Sequence, residues 1–370
     1  MASNTKAIET ASRERPGERP TRGDTNGYPF VLRENGGAAM LSGWNAMAGD
    51  KGRVKVDDPV YGTMTAADGT VLRTAIWSGP AGAARATVVL LTGRAEFIEK
   101  YRETAHELTR RGFRVVQMDW RNQGLSGRPL ANRQIHHLRD FTVLRDDLAL
   151  LVERVALPVA DGGPLMVMAH SMGGLVAVLH MAAAPDLYAA AVLSAPMIAV
   201  HLGGLPRWVA RGLAAGACAL GLAERYGPGQ GDYDPRNGVF TPDNPITGDP
   251  RRYALFHGPF RDRPELRVGG VSFGWLDAAF RAERAVLGSL PLERVRTPLL
   301  VLTAPDDRVV DSRAADAMAR RFPNAAVCRY PDARHELLME TDAVRDRVWV
   351  DIGGFLDQHF PLPAMVPVTG

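Results

Sequence analysis

Val167-Met168-Ala169-His170-Ser171-Met172-Gly173-Gly174 is the stretch that decides the fold of this chain. An apolar run, Leu165–Ala169, leads into the serine, and a stretch apolar almost all round, Gly174–Ala184, leads away from it. That pattern predicts a buried strand, a sharp turn and a buried helix. A serine on such a turn is in the setting of a nucleophile elbow. Strand and helix pass so closely there that the positions two before and two after the serine must be small. They are Ala169 and Gly173. The usual pattern is G-x-S-x-G, so Ala169 departs from it by one methyl group. At the N-terminus of the helix, the Met172 amide can face a developing oxyanion, helped by the helix dipole.

Outward from the elbow the chain alternates. Thr63–Ala67 and Val71–Trp77 read as a hairpin across Asp68-Gly69. Ala86–Leu91 and Phe113–Trp120 read as strands with a helix, Glu99–Arg111, between them. After Asp140, the residues Phe141, Leu144, Leu148, Leu151, Val152 and Val155 keep a helical period. Ala189–Ala195 is a further strand. Alternation stops at 197 and resumes with the strand Pro298–Thr303, the helix Ser312–Phe322, the strand Ala326–Tyr330 and the helix Thr341–Phe360. The order predicts a parallel sheet with helices on both faces. The expected organisation is an α/β core at 51–196 and 291–370, a helical cap inserted at 197–290, and a disordered or irregular extension at 1–50, rich in Arg, Glu, Gly and Pro.

A serine hydroxyl needs a base and an orienting acid, and in this setting they follow in the order Ser, Asp or Glu, His. Pro305-Asp306-Asp307-Arg308-Val309-Val310-Asp311 follows one late strand, and Asp332-Ala333-Arg334-His335-Glu336 follows the next. Both lie past the C-terminal end of a strand, where ligands bind in open α/β sheets. His335 is the expected base. Spacing leaves Asp306 and Asp307 as alternatives for the acid, and Asp311 fits the start of the next helix. The second oxyanion donor should come from the loop Thr92-Gly93-Arg94-Ala95-Glu96-Phe97, where the Arg94 amide can turn toward the serine. Asp119-Trp120-Arg121-Asn122-Gln123-Gly124 ends another strand, and its charged residues either brace the loops through a buried pair or stand exposed.

Composition narrows the function. Lys+Arg 44 against Asp+Glu 41 in 370 residues is a small surplus without a basic tract, so a nucleic-acid partner is not expected. Two cysteines, Cys218 and Cys328, cannot form a disulfide framework, and two free buried thiols are expected. The nine histidines show no metal-binding spacing, and no metal or other cofactor is expected. No secretory h-region and no apolar run of membrane-spanning length is present, so a cytoplasmic location is expected.

On the motifs A-H-S-M-G-G at 169–174, T-G-R-A-E-F at 92–97, D-W-R-N-Q-G-L-S-G at 119–127, P-D-D-R-V-V-D at 305–311 and R-H-E at 334–336, the chain resembles the α/β-hydrolases. Within them it is similar to the bacterial lysophospholipases and monoacylglycerol lipases, often grouped with a serine aminopeptidase domain. The resemblance spans about 61–360. It implies an eight-stranded, mostly parallel sheet with a helical cap after the sixth strand. It also implies Ser171 as nucleophile, His335 as base, Asp307 rather than Asp306 as acid, and the amides of Arg94 and Met172 as oxyanion hole. The implied activity is hydrolysis of a carboxylic ester, with lysophospholipids or monoacylglycerols as substrates. A small-ester esterase, a peptidase of the same fold and a non-catalytic ligand-binding protein are the alternatives.

The stretch Leu202–Leu222 holds Leu205, Trp208, Val209, Leu213, Leu220 and Leu222. It is an apolar surface able to line an acyl tunnel, touch a membrane peripherally, or pack on the core. Arg207 and Arg211 beside it either favour anionic head groups or are solvated.

Overall fold

The computed structural model describes residues 58–79 and 82–362, and the extension expected at 1–50 lies outside them. The hairpin pairs β1 (Val60–Thr65) with β2 (Val71–Trp77). Then come β3 (Thr87–Leu91), α1 (Arg102–Arg110), β4 (Arg114–Met118), α2 (Thr142–Leu151), β5 (Leu165–His170), α3 (Met172–Ala183) and β6 (Ala190–Ser194). Residues 195–298 connect β6 to the next strand and carry α4 (Arg207–Ala219), α5 (Pro250–His257) and α6 (Phe273–Arg284). The chain returns to the sheet with β7 (Leu299–Thr303), α7 (Ser312–Ala319), β8 (Ala325–Arg329) and α8 (Asp342–His359). The expected helix at 99–111 opens as a tight 3-10 turn, Ile98–Tyr101, before α1 begins.

The eight strands form one sheet in the order β1-β2-β4-β3-β5-β6-β7-β8. The first two pairings are antiparallel and the remaining five parallel. Parallel strands are covered on both faces, so β3, β5, β6 and β7 are apolar runs without alternation and are buried throughout. On one face Val88, Leu90, Met166, Met168, Val192, Leu300 and Leu302 join Ala105 and Leu108 of α1 and Val348, Trp349, Ile352 and Leu356 of α8 in one core. Their strand neighbours Val89, Val167, Leu193 and Val301 are equally buried on the other face.

Side chains start the helices around the sheet. Asp249 accepts the Arg251 and Arg252 amides at α5, Ser272 accepts the Trp275 amide at α6, and Asp311 accepts the Arg313 amide at α7. The two cysteines are free but not fully buried, in contrast to the sequence expectation. Cys328 lies on β8, an edge strand with neither face fully covered. Among the described residues no helix is long and apolar enough to cross a membrane.

Candidate active site

The strand order reverses between β3 and β5. The chain passes from β3 to β4 on one side, and β5 then lies on the other. Such a switch point opens a crevice at the carboxyl ends of the strands. The register sets Leu91 opposite Ala169, so both chains leave the sheet at the same level. Thr92-Gly93-Arg94 and His170-Ser171-Met172 are thereby brought face to face.

Ser171 has φ 50° and ψ −117°, a conformation that non-glycine residues rarely adopt. The surroundings over-determine it. Its amide donates to Ser194 O at 3.0 Å, and its carbonyl accepts from Met197, Gly174 and Leu175. A Cβ on Gly173 would lie 2.6 Å from Thr92 O, so the close packing anticipated at this position is real. The turn raises Oγ out of the sheet, and Met172 opens α3 with an amide that has no acceptor within the helix.

Three distant segments meet at that hydroxyl. Nε2 of His335 lies 2.9 Å from Ser171 Oγ, and Nδ1 lies 2.7 Å from Asp307 Oδ2. All three side chains are buried. The other Asp307 oxygen accepts the Val309 and Val310 amides at 2.7 and 3.0 Å. Burial alone would raise the Asp307 carboxyl, but His335 and those amides outweigh it and hold the group below its ordinary range. Asp306 is exposed, and Asp311 starts α7.

The loop after β3 is pinned on both sides of Arg94. The Gly93 amide donates to Glu96 Oε2. The Ala95 amide donates to Gln123 Oε1 at 3.0 Å, and Gln123 Nε2 donates to the carbonyls of Gly93 and Glu96 at 2.7 and 3.0 Å. Between them, the Arg94 amide has no acceptor among the described residues. Gln123 belongs to the stretch whose charged residues were read as brace or exposed surface. It is the uncharged residue that holds the loop after β3, while Asp119 pairs in the interior with Arg73, and Arg121 with Asp147.

Beneath the crevice lies a buried ionic cluster that sequence reading missed. Lys100 Nζ is 2.6 Å from Glu96 Oε1 and 2.7 Å from Glu336 Oε1, and Tyr101 donates to Glu96 at 2.8 Å. Burial opposes every charge in it. Lys100 is nonetheless raised by its two carboxylates and Glu96 lowered by Lys100, while burial keeps Glu336 above its ordinary range. The i, i+4 spacing of Glu96 and Lys100 was the available signal, in a chain with only four lysines. Glu96, His170 and Glu336 place three ligand-type atoms within 4.8 Å of one another. The ammonium already sits between the two carboxylates, where a cation would have to go. His170 is held at about 3, mainly by burial, so it is neutral. Its Nδ1–H donates to Ser194 O at 3.1 Å, and its ring rests 4.8 Å from that of His335.

Ser171 and His335 open into a pocket of about 390 Å³. Segment 195–298 supplies Tyr233, Asn237, Pro245, Ile246, Tyr253, Phe256, His257, Phe260 and Val268 to its wall. None of the apolar residues of 202–222 lines it. Leu205, Trp208, Leu213, Leu220 and Leu222 are exposed instead, Trp208 at 77% and Leu220 at 79%. Arg207 and Arg211 stay partly exposed but are not free, because both pair with Glu283, and Arg207 also pairs with Asp311.

The switch-point crevice, the strained serine and the order of Ser171, Asp307 and His335 along the sheet define an α/β-hydrolase. The profile of the family described as "Serine aminopeptidase, S33" matches residues 82–342, and the chain belongs to that family. It is 31% identical over 283 residues to lysophospholipase L2 of Escherichia coli K12, covering 74% of this chain and 80% of that one. It is 33% identical over 266 residues to the monoacylglycerol lipase of Mycolicibacterium smegmatis, covering 70% and 84%. In fold it is similar to a soluble variant of monoglyceride lipase from Saccharomyces cerevisiae, with TM-score 0.66 at 20% identity over 85% of this chain and all of that one.

Proposed function

We propose that this carboxylic ester hydrolase acts on single-chain lipids, lysophospholipids or monoacylglycerols, through an acyl-enzyme on Ser171. The observation that carries the reading is the line from Ser171 Oγ through His335 to Asp307 at 2.9 and 2.7 Å, open to a largely aromatic and aliphatic pocket. His335 takes the hydroxyl proton as Ser171 attacks the acyl carbonyl, and Asp307 orients the imidazole and stabilises its charged form. The amides of Arg94 and Met172 receive the oxyanion. His335 returns the proton to the leaving alcohol, and water repeats the sequence in reverse. No step needs a cofactor.

In this reading 197–290 is a cap over the site, and the exposed Trp208 and Leu220 face meets the lipid surface peripherally. The lysophospholipase and monoacylglycerol lipase relatives support the substrate class. A peptidase binding a free substrate amine has less support, because the carboxylates that line the pocket, Glu96 and Glu336, are already paired with Lys100. The test is hydrolysis of a long-chain lysophospholipid, a monoacylglycerol, short nitrophenyl esters and an aminoacyl anilide by wild type and Ser171→Ala. Serine-dependent cleavage of the long-chain lipids is expected. Cleavage of short esters or the anilide alone would overturn the substrate class.

A further inference from the structure

Arg94 brings more to the pocket than its backbone amide. Arg94 lines the same cavity as Ser171 and His335 and is only partly buried. The guanidinium carries five N–H donors. Among the described residues its one hydrogen bond runs from Nη1 to Gly269 O, at 2.9 Å. No carboxylate of the described residues lies within ion-pair distance of it.

That isolation sets Arg94 apart from the other arginines around the sheet. Arg73, Arg121 and Arg252 each hold at least two carboxylates. Arg128 has none, but donates to the carbonyls of Gly124, Arg133 and Arg267. Arg94 has neither arrangement. Burial disfavours its charge, and Glu96 offsets this only in part because Lys100 already holds that carboxylate. His136 nearby is held neutral by burial and by Arg94 itself. The site therefore contains a charged, bidentate-capable donor set with no carboxylate partner among the described residues, in the pocket that holds Ser171.

We propose that the Arg94 guanidinium binds a phosphate on the alcohol portion of the substrate, so that the pocket selects lysophospholipids over monoacylglycerols of the same acyl chain. This rests on the lipid ester reading above and deepens it. A planar guanidinium matches phosphate oxygens with paired, charge-assisted hydrogen bonds, which a glycerol hydroxyl cannot equal. With the acyl carbonyl at the Arg94 amide, the same residue also belongs to the pocket that holds the rest of the ester.

The test compares kcat/KM for 1-palmitoyl lysophosphatidylethanolamine and 1-palmitoylglycerol in the same detergent micelles, for wild type, Arg94→Met and Arg94→Lys. Damage to the oxyanion loop lowers both rates, so the ratio isolates the side chain. Wild type should prefer the lysophospholipid. The ratio should fall by about tenfold to a hundredfold in Arg94→Met and by less in Arg94→Lys, which keeps the charge but loses the paired hydrogen bonds. An unchanged ratio in Arg94→Met, or a wild type that prefers the monoacylglycerol, overturns the proposal and leaves the lipid ester reading intact. A wild type that cleaves neither lipid overturns the reading itself. Glycerol 3-phosphate and inorganic phosphate serve as competitors. Inhibition by glycerol 3-phosphate that weakens in Arg94→Met supports a head-group site. Equal inhibition by inorganic phosphate would assign the guanidinium to a free anion and overturn selection of the lipid.

Discussion

Asp307 reaches His335 Nδ1 at 2.7 Å with one carboxylate oxygen while its other oxygen is tied to the Val309 and Val310 amides. The carboxylate is thus fixed before it orients the imidazole toward Ser171. Asp307→Asn keeps the shape but offers His335 an amide in place of a charge. The expected loss is about 10⁴-fold in kcat. Asp306→Asn, at the exposed neighbour, should stay within about twofold, the ordinary scatter of surface changes. Steady-state rates on a nitrophenyl ester would check both, and equal losses would contradict the assignment.

Gln123 tests the proposed oxyanion role of the loop after β3. It makes three hydrogen bonds to the turn that carries Arg94, yet it lines no part of the pocket. Gln123→Leu should lower kcat by about 10²-fold through misplacement of the Arg94 amide, with a smaller change in KM. A fall in thermal stability with unchanged kcat would show the contacts to be purely structural.

Lys100 neutralises two buried carboxylates. Lys100→Met leaves both without a counter-charge and should destabilise the fold by about 3–5 kcal/mol. Adding Glu96→Gln and Glu336→Gln should recover much of that loss. Urea unfolding of the single and triple variants measures it. A single variant as stable as wild type would mean that the cluster is not charged as described.

Acidification should weaken the fold well before the carboxylates titrate. Burial holds His170 at about 3 and His180 and His257 at about 4, against an ordinary value near 6.5. Between those limits the unfolded chain binds protons that the folded one refuses, so stability is complete above about pH 6.5 and falls as pH falls toward the folded values. The slope is at most about 1.4 kcal/mol per pH unit for each histidine. Asp307 and Glu96, both lowered, add their losses only below about pH 4.5. Urea midpoints at pH near 7.5, 6 and 5 should decline in that order, and a flat profile would rule the linkage out.

The exposed Trp208 on α4 and Leu220 just past its end predict lipid contact. Trp208→Ser with Leu220→Ser should reduce co-sedimentation with anionic vesicles and abolish a blue shift of tryptophan emission. Hydrolysis of a soluble short ester should persist. Vesicle binding equal to wild type would remove this face from the membrane reading.

The alternation of apolar runs and helical periods determined the sheet, and the small residues around Ser171 determined the elbow. Both are local properties, since a buried parallel strand must be apolar throughout and a tight strand-to-helix turn must exclude side chains. The order of Ser171, Asp307 and His335 was legible too. The choice between Asp306 and Asp307 was not legible from spacing, because one residue of rotation about the turn separates a buried carboxylate from an exposed one.

Only the tertiary structure decided what surrounds the site. Lys100 meets Glu336 across 236 positions, and Gln123 meets the loop after β3 across about thirty. Arg207 and Arg211 are neutralised by Glu283, more than seventy positions on, while Arg94 is left without a carboxylate among the described residues. Sequence shows which residues can carry charge or donate hydrogen bonds. Which charges cancel, and which remain to meet a ligand, depends on distances that only the folded chain sets.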